Sequence, residues 1–146
     1  MTLYLDTSSL VKLYIAETGS DHVRGLVDRA HVVATSIVAY PEVRAAMARR
    51  RRERALRPAA LAAAKRKLQD DWPKYLAVQA TEAVCRAAGE LAERYALRGY
   101  DSVHLASFLE VARASGVADT EFSSFDDRLT GAARSGARAL ARSVRR

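Results

Sequence analysis

The stretch Leu3-Tyr4-Leu5-Asp6-Thr7-Ser8-Ser9-Leu10-Val11-Lys12-Leu13-Tyr14 decides how this chain folds. A short apolar run stops at a carboxylate, hydroxyl side chains follow, and helical spacing then begins. That order is a buried strand turning into a helix, the opening unit of an open α/β sheet. In such sheets ligands bind in the crevice beyond the carboxyl ends of the strands. Asp6 therefore stands either as a helix cap or as the first member of a site.

Outward from this unit, strand and helix signals alternate. The pattern predicts a strand at 3–5 and a helix at 9–17 that stops near Gly19. Ser20 and Asp21 cap a second helix to about residue 29, and a second strand covers 31–35. Ser36 caps the helix that runs into Arg49-Arg50-Arg51-Arg52-Glu53-Arg54, with an irregular first turn where Pro41 removes a donor. Pro58 opens a further helix that ends before Trp72-Pro73, and 75–80 is extended or loop-like. Thr81 caps an amphipathic helix with Val84, Ala87, Ala88, Leu91 and Tyr95 on one face. A turn at Arg98-Gly99-Tyr100 precedes Asp101 and a stripe of Leu105, Phe108, Leu109 and Ala112. A strand at 121–124, a loop and short helix at 125–133, and a weak final strand at 136–140 complete the chain. The expectation is α/β: one domain over 1–141, its small parallel sheet surrounded by helices, then a frayed basic tail at 142–146.

Composition narrows the class. The 146 residues suit one domain, and 49% hydrophobic with 7% aromatic residues is ordinary for a globular protein. No uncharged apolar run reaches the roughly 18 residues of a membrane span, and no basic segment leads into a long apolar one as in a secretory signal. Cys85 is the one cysteine, which excludes an internal disulfide and fits a reducing, cytoplasmic setting. It reads as a small buried helix residue and not as a nucleophile. The net charge of +7 attracts polyanions, nucleic acid foremost. The arginine block is then either a solvated helix end or a phosphate-contacting patch.

Position sorts the acids. Asp6 ends the first strand, Glu42 lies early on the helix after the second, Asp101 begins a helix, and Asp126 follows the strand at 121–124. If the sheet is parallel, all of them lie at its carboxyl edge. Crowded carboxylates repel, and burial makes that worse. A hard divalent cation resolves the conflict, and magnesium or manganese suits a site of carboxylates and water. Such an ion polarises a phosphoryl oxygen and activates water. Each acid also has a plain alternative. Asp6 or Asp101 can be an N-cap worth about 1 kcal/mol. Glu42 can be an exposed helix residue paired with arginines, and Asp126 and Asp127 can be turn formers.

Four stretches carry a family likeness. They are the opening block from Leu5 to Tyr14, then Ser36-Ile37-Val38-Ala39-Tyr40-Pro41-Glu42-Val43-Arg44-Ala45-Ala46, then Leu97-Arg98-Gly99-Tyr100-Asp101-Ser102-Val103-His104-Leu105-Ala106, and last Phe122-Ser123-Ser124-Phe125-Asp126-Asp127-Arg128-Leu129. In this order and spacing they resemble the PIN-domain ribonucleases, and among them the VapC-type toxins of bacterial toxin–antitoxin pairs. The resemblance implies that Asp6, Glu42, Asp101 and Asp126 hold magnesium or manganese for hydrolysis of RNA phosphodiesters. Asp6 and Asp101 would bind the metal directly, while Glu42 and Asp126 complete the set or orient the water. The family commonly has threonine where Ser124 stands, and Asp127 competes for the fourth place. Asp126 is preferred because it lies two residues after the hydroxyl. The resemblance also implies an RNA substrate, a homodimer and a small antitoxin partner, with no membrane involved.

Other residues take secondary roles. Ser8 either hydrogen-bonds a metal-bound water or the phosphate, or caps the first helix. His104 reads as structural, because a metal that activates water needs no histidine base. Arg44, Arg49, Arg50 and Arg98 are candidates for phosphate contacts. Tyr40 and Tyr100 flank two of the acids, as base-stacking platforms or as core residues. A haloacid-dehalogenase-type phosphatase would want a second aspartate where Ser8 stands, and a Rossmann-type binder a glycine-rich turn in place of Thr7-Ser8-Ser9. A silent RNA- or protein-binding domain would lack one or more acids. A stand-alone RNA-processing nuclease would lack an antitoxin reading frame beside its gene.

Overall fold

The computed structural model describes residues 1–144. Its axis is β1 (Thr2–Leu5), buried along its whole length. Parallel neighbours flank it on both sides, β2 (Val32–Ser36) and β4 (Thr120–Ser123). A short β3 (Leu76–Val78) adds outside β2, giving the order β3-β2-β1-β4 with every pairing parallel. All carboxyl ends therefore meet along one edge. The register opposes Leu5 to Ser123, so the residue after β1 emerges beside the residue after β4.

Alternation along β1 divides the core in two. Leu3 and Leu5 point into a layer built by α1 (Thr7–Leu10), α2 (Ser20–Arg29), α3 (Ala39–Arg52) and α4 (Pro58–Asp71). There they meet Leu10, Val23, Leu26, Val43, Met47 and Leu68, each burial contributing roughly 1.5–3 kcal/mol. Tyr4 points the other way, toward α6 (Gly99–Ser115) and α7 (Asp127–Val144). It packs against Phe108 and Phe122, with ring centroids 5.9 and 5.7 Å away. Helix α5 (Glu82–Tyr95), capped by Thr81 as expected, lies on α6. Among the described residues no helix is long and apolar enough to cross a membrane.

Several expectations are corrected. The strand at 136–140 does not exist, because α7 runs unbroken from Asp127 to Val144. Leu129, Ala132, Ala133 and Gly136 recur at helical spacing and are buried, and a Cβ on Gly136 would come within 3.3 Å of Leu109. The small residues that made a poor strand are what lets this helix approach α6. The helix includes Arg142 and Ser143 of the expected tail; Arg145 and Arg146 lie outside the described residues.

The first helix is also shorter than its spacing suggests, giving way to a 3-10 turn at Val11–Leu13. Thr7, Ser8 and Ser9 are modest helix formers whose hydroxyls bond to Glu42, Asp6 and Ser123 instead. Ser36 remains in β2, and α3 passes through Pro41 in its first turn, where a missing donor costs little. Cys85 is exposed, not buried.

Candidate active site at the carboxyl edge of the sheet

Asp6 leaves β1 in extended conformation and caps α1, accepting from Ser9 N–H at 3.0 Å. It is 4% exposed. The Ser8 hydroxyl donates to the same oxygen, Oδ1, at 2.7 Å, and the Ser124 hydroxyl donates to Oδ2 at 2.6 Å. The cap and site readings of Asp6 thus describe one side chain. Ser8 is not the cap: its oxygen accepts from Phe125 N–H at 2.9 Å and so fastens the loop after β4. The Phe125 ring closes over Lys12 and Gly19; Gly19 has a φ of 94°, and a Cβ there would lie 2.7 Å from that ring. This loop carries Asp126, whose N–H donates to Ser124 Oγ at 3.0 Å and whose Oδ1 accepts from Leu129 N–H at 2.8 Å, at the start of α7.

Glu42 enters from the first turn of α3. Its Oε1 accepts from the Thr7 hydroxyl at 2.7 Å and lies 2.9 Å from His104 Nε2. The other ring nitrogen, Nδ1, is 3.0 Å from the Tyr4 hydroxyl. Burial holds the Tyr4 phenol well above its ordinary pKa. Asp101 stands in the first turn of α6, next to the exposed Arg98-Gly99-Tyr100. Burial pushes its carboxyl above the usual range, and the charges of Asp126, Asp6 and Glu42 push it further, outweighing an opposing pull from His104. Asp126, rather than Asp127, is the neighbour that acts on it.

The parallel sheet thus brings the four predicted acids to one edge, near enough to act on one another electrostatically. They do not form a finished coordination sphere. Among the described residues, no three acidic, histidine or cysteine side chains gather tightly enough to hold a metal ion as they stand. Nor does any lysine or arginine among the described residues pair with Asp6, Glu42, Asp101 or Asp126. An all-oxygen set of mutually repelling carboxylates, none of them paired with a lysine or arginine among the described residues, fits a hard divalent cation.

Two hollows open from this edge. One, of about 610 Å³, is lined by Glu42, Asp101, Arg98, Tyr100 and the exposed Cys85. The other, of about 480 Å³, is lined by Thr7, Glu42, Arg49, Arg52 and Tyr100. Glu42 and Tyr100 belong to both, and the Tyr100 side is 62% exposed, so it is no core residue. Tyr40 does pack, edge-on to Trp72 at 5.0 Å. Of the candidate arginines, Arg49 and Arg98 face the hollows, whereas Arg44 donates to Tyr40 and Arg50 pairs with Glu17. Burial raises the Glu17 carboxyl, but Lys12 and Arg50 outweigh it and hold it below the usual range. Sequence reading missed Thr7 and held Arg52 only as part of the arginine block; its spacing of one turn from Arg49 on the same helix was the signal that singles it out.

Residues 3–134 match the family described as PIN domain. Two ribonucleases of Mycobacterium tuberculosis are similar to this chain: VapC45 of strain CDC 1551 / Oshkosh and VapC49 of strain ATCC 25618 / H37Rv. Each is 45% identical over 109 residues, covering 75% of this chain and 76% of the relative.

Proposed function

The chain belongs to the PIN-domain family, on the side of its VapC ribonucleases, and from that membership we propose that it is the endoribonuclease toxin of a toxin–antitoxin pair, hydrolysing RNA phosphodiesters with a divalent metal. Asp6 and Asp101 would hold the magnesium or manganese ion, with Glu42 and Asp126 completing the set or orienting the attacking water. When bound, that ion supplies Lewis acidity toward a phosphoryl oxygen and a lowered pKa for water. The observation that carries the reading is the meeting of four carboxylates from four separate segments, with Asp101 raised by burial and by the other three.

The protein's own residues do the rest. Arg49, Arg52 and Arg98 present cationic groups on both sides of the acidic edge, where phosphates flanking the cut would lie. Tyr100 offers an exposed ring between the two hollows, suited to stacking on a base splayed out of a loop. A silent domain is disfavoured because none of the four acids is missing. A small antitoxin as inhibitor, a homodimeric assembly and a cytoplasmic location belong to the same reading, through the resemblance to VapC-type toxins.

The test is direct. Purified protein is expected to cut structured RNA in magnesium or manganese and to stop when chelator is added. Cleavage that continues in excess chelator would overturn the metal-nuclease reading.

A further inference from the structure

His104 is 1% exposed, and none of the chemistry above uses it. Both of its ring nitrogens are nevertheless engaged. Nδ1 lies 3.0 Å from the Tyr4 hydroxyl, while Nε2 lies 2.9 Å from Glu42 Oε1 and 3.1 Å from Thr7 Oγ1. Thr7 donates its own hydroxyl to the same Glu42 oxygen at 2.7 Å. We propose that Tyr4, Thr7 and His104 are positioning residues for Glu42: they fasten Oε1 inward, so that Oε2 alone is offered to the metal and the attacking water. The proposal rests on the nuclease reading of the acidic edge.

Proton placement follows from donor chemistry. An ionised carboxylate only accepts, so a nitrogen 2.9 Å from Glu42 Oε1 carries hydrogen. A tyrosine phenol is protonated at neutral pH, so with the hydrogen on Nε2 it donates to Nδ1. Tyr4 thereby selects the Nε2–H tautomer, since the partner of one ring nitrogen decides the state of the other. The path also crosses the molecule's layers. Tyr4 and α6 share one core and α3 the other, so the chain Tyr4–His104–Glu42 rounds the carboxyl edge and joins the two layers where the acids meet. Glu42 keeps 26% of its side chain exposed, so without these donors its carboxylate would be free to turn.

A buried histidine that merely packs would serve stability equally well. The two roles separate in a pair of variants. Glutamine at 104 places its amide N–H near the position of Nε2 and still donates to Glu42. Asparagine reaches only as far as Nδ1, toward Tyr4, and leaves Oε1 without that donor. His104→Asn is expected to lower kcat about 10- to 100-fold with KM for RNA unchanged, the range seen when a partner orienting a metal ligand is lost. His104→Gln is expected to recover most of that loss although both variants melt lower by similar amounts. Nitrogen NMR of the metal-free wild type is expected to show hydrogen on His104 Nε2, with Nδ1 accepting from Tyr4. Equal losses in the two variants, tracking their melting temperatures, would overturn the proposal, as would a wild-type Nδ1–H tautomer. A wild-type protein that cuts no RNA would instead fail the nuclease reading, and the NMR result would still show whether the relay exists.

Discussion

Asp101→Asn is expected to abolish RNA cleavage and, in the same protein, to raise the melting temperature of the metal-free form at neutral pH. Partners that only orient metal ligands are worth 10- to 100-fold, so losing a ligand itself is expected to cost roughly 100-fold or more. The stability gain has a separate origin. Burial and the charges of Asp126, Asp6 and Glu42 raise the Asp101 carboxyl in the folded protein. As pH rises from the unfolded value, about 4, toward the folded one, the native state keeps a proton that the unfolded chain has released. Native stability therefore falls through that window, and the full cost is present at neutral pH. Asparagine carries no charge and avoids it. Melting curves in chelator should show variant and wild type converging at acid pH and separating at neutral pH, with the variant higher. A neutral-pH melting temperature equal to or below wild type would mean that the four acids do not repel one another as described.

Asp6 supports the second large effect, because it performs two jobs that substitution can separate. Asparagine retains an oxygen for Ser9 N–H and Ser8 Oγ but replaces the acceptor facing Ser124 by a donor. Asp6→Asn is expected to lose roughly 100-fold or more in cleavage while keeping the cap and most of the stability. Asp6→Ala removes the cap, worth about 1 kcal/mol, and strands buried donors at about 1–3 kcal/mol, so it is expected to lose about 2–4 kcal/mol of stability as well. Denaturant melts with cleavage rates on both variants check this. Near-normal cleavage by Asp6→Asn would leave Asp6 a cap and nothing more.

Much of this was legible from local pattern. The apolar run ending at Asp6, the capping threonine before α5 and the turn before Asp101 are short-range signals, and each sits where its pattern points. The parallel sheet then brings Glu42 and Asp126 to the same edge without further information. What stayed hidden depends on contacts far apart in sequence. The Ser124–Asp6 bond, the Phe125–Ser8 bond and the His104–Glu42 bond join segments that no periodicity links. Arg50 looked equal to Arg49 until Glu17 claimed it, and Tyr100 resembled Tyr40 until one ring packed on Trp72 and the other faced solvent. The final helix was misread because glycine and alanine weaken a strand signal without supplying an amphipathic stripe of large residues. Gly136 shows its purpose only against Leu109.

We propose that this edge holds a divalent metal between carboxylates that no lysine or arginine among the described residues pairs with. Anomalous diffraction from crystals soaked in manganese reads it most directly. The expected result is a manganese peak bounded by the carboxylates of Asp6 and Asp101, lost in Asp101→Asn. A saturated soak that leaves this edge empty, from protein that cuts RNA in the same manganese buffer, would contradict it.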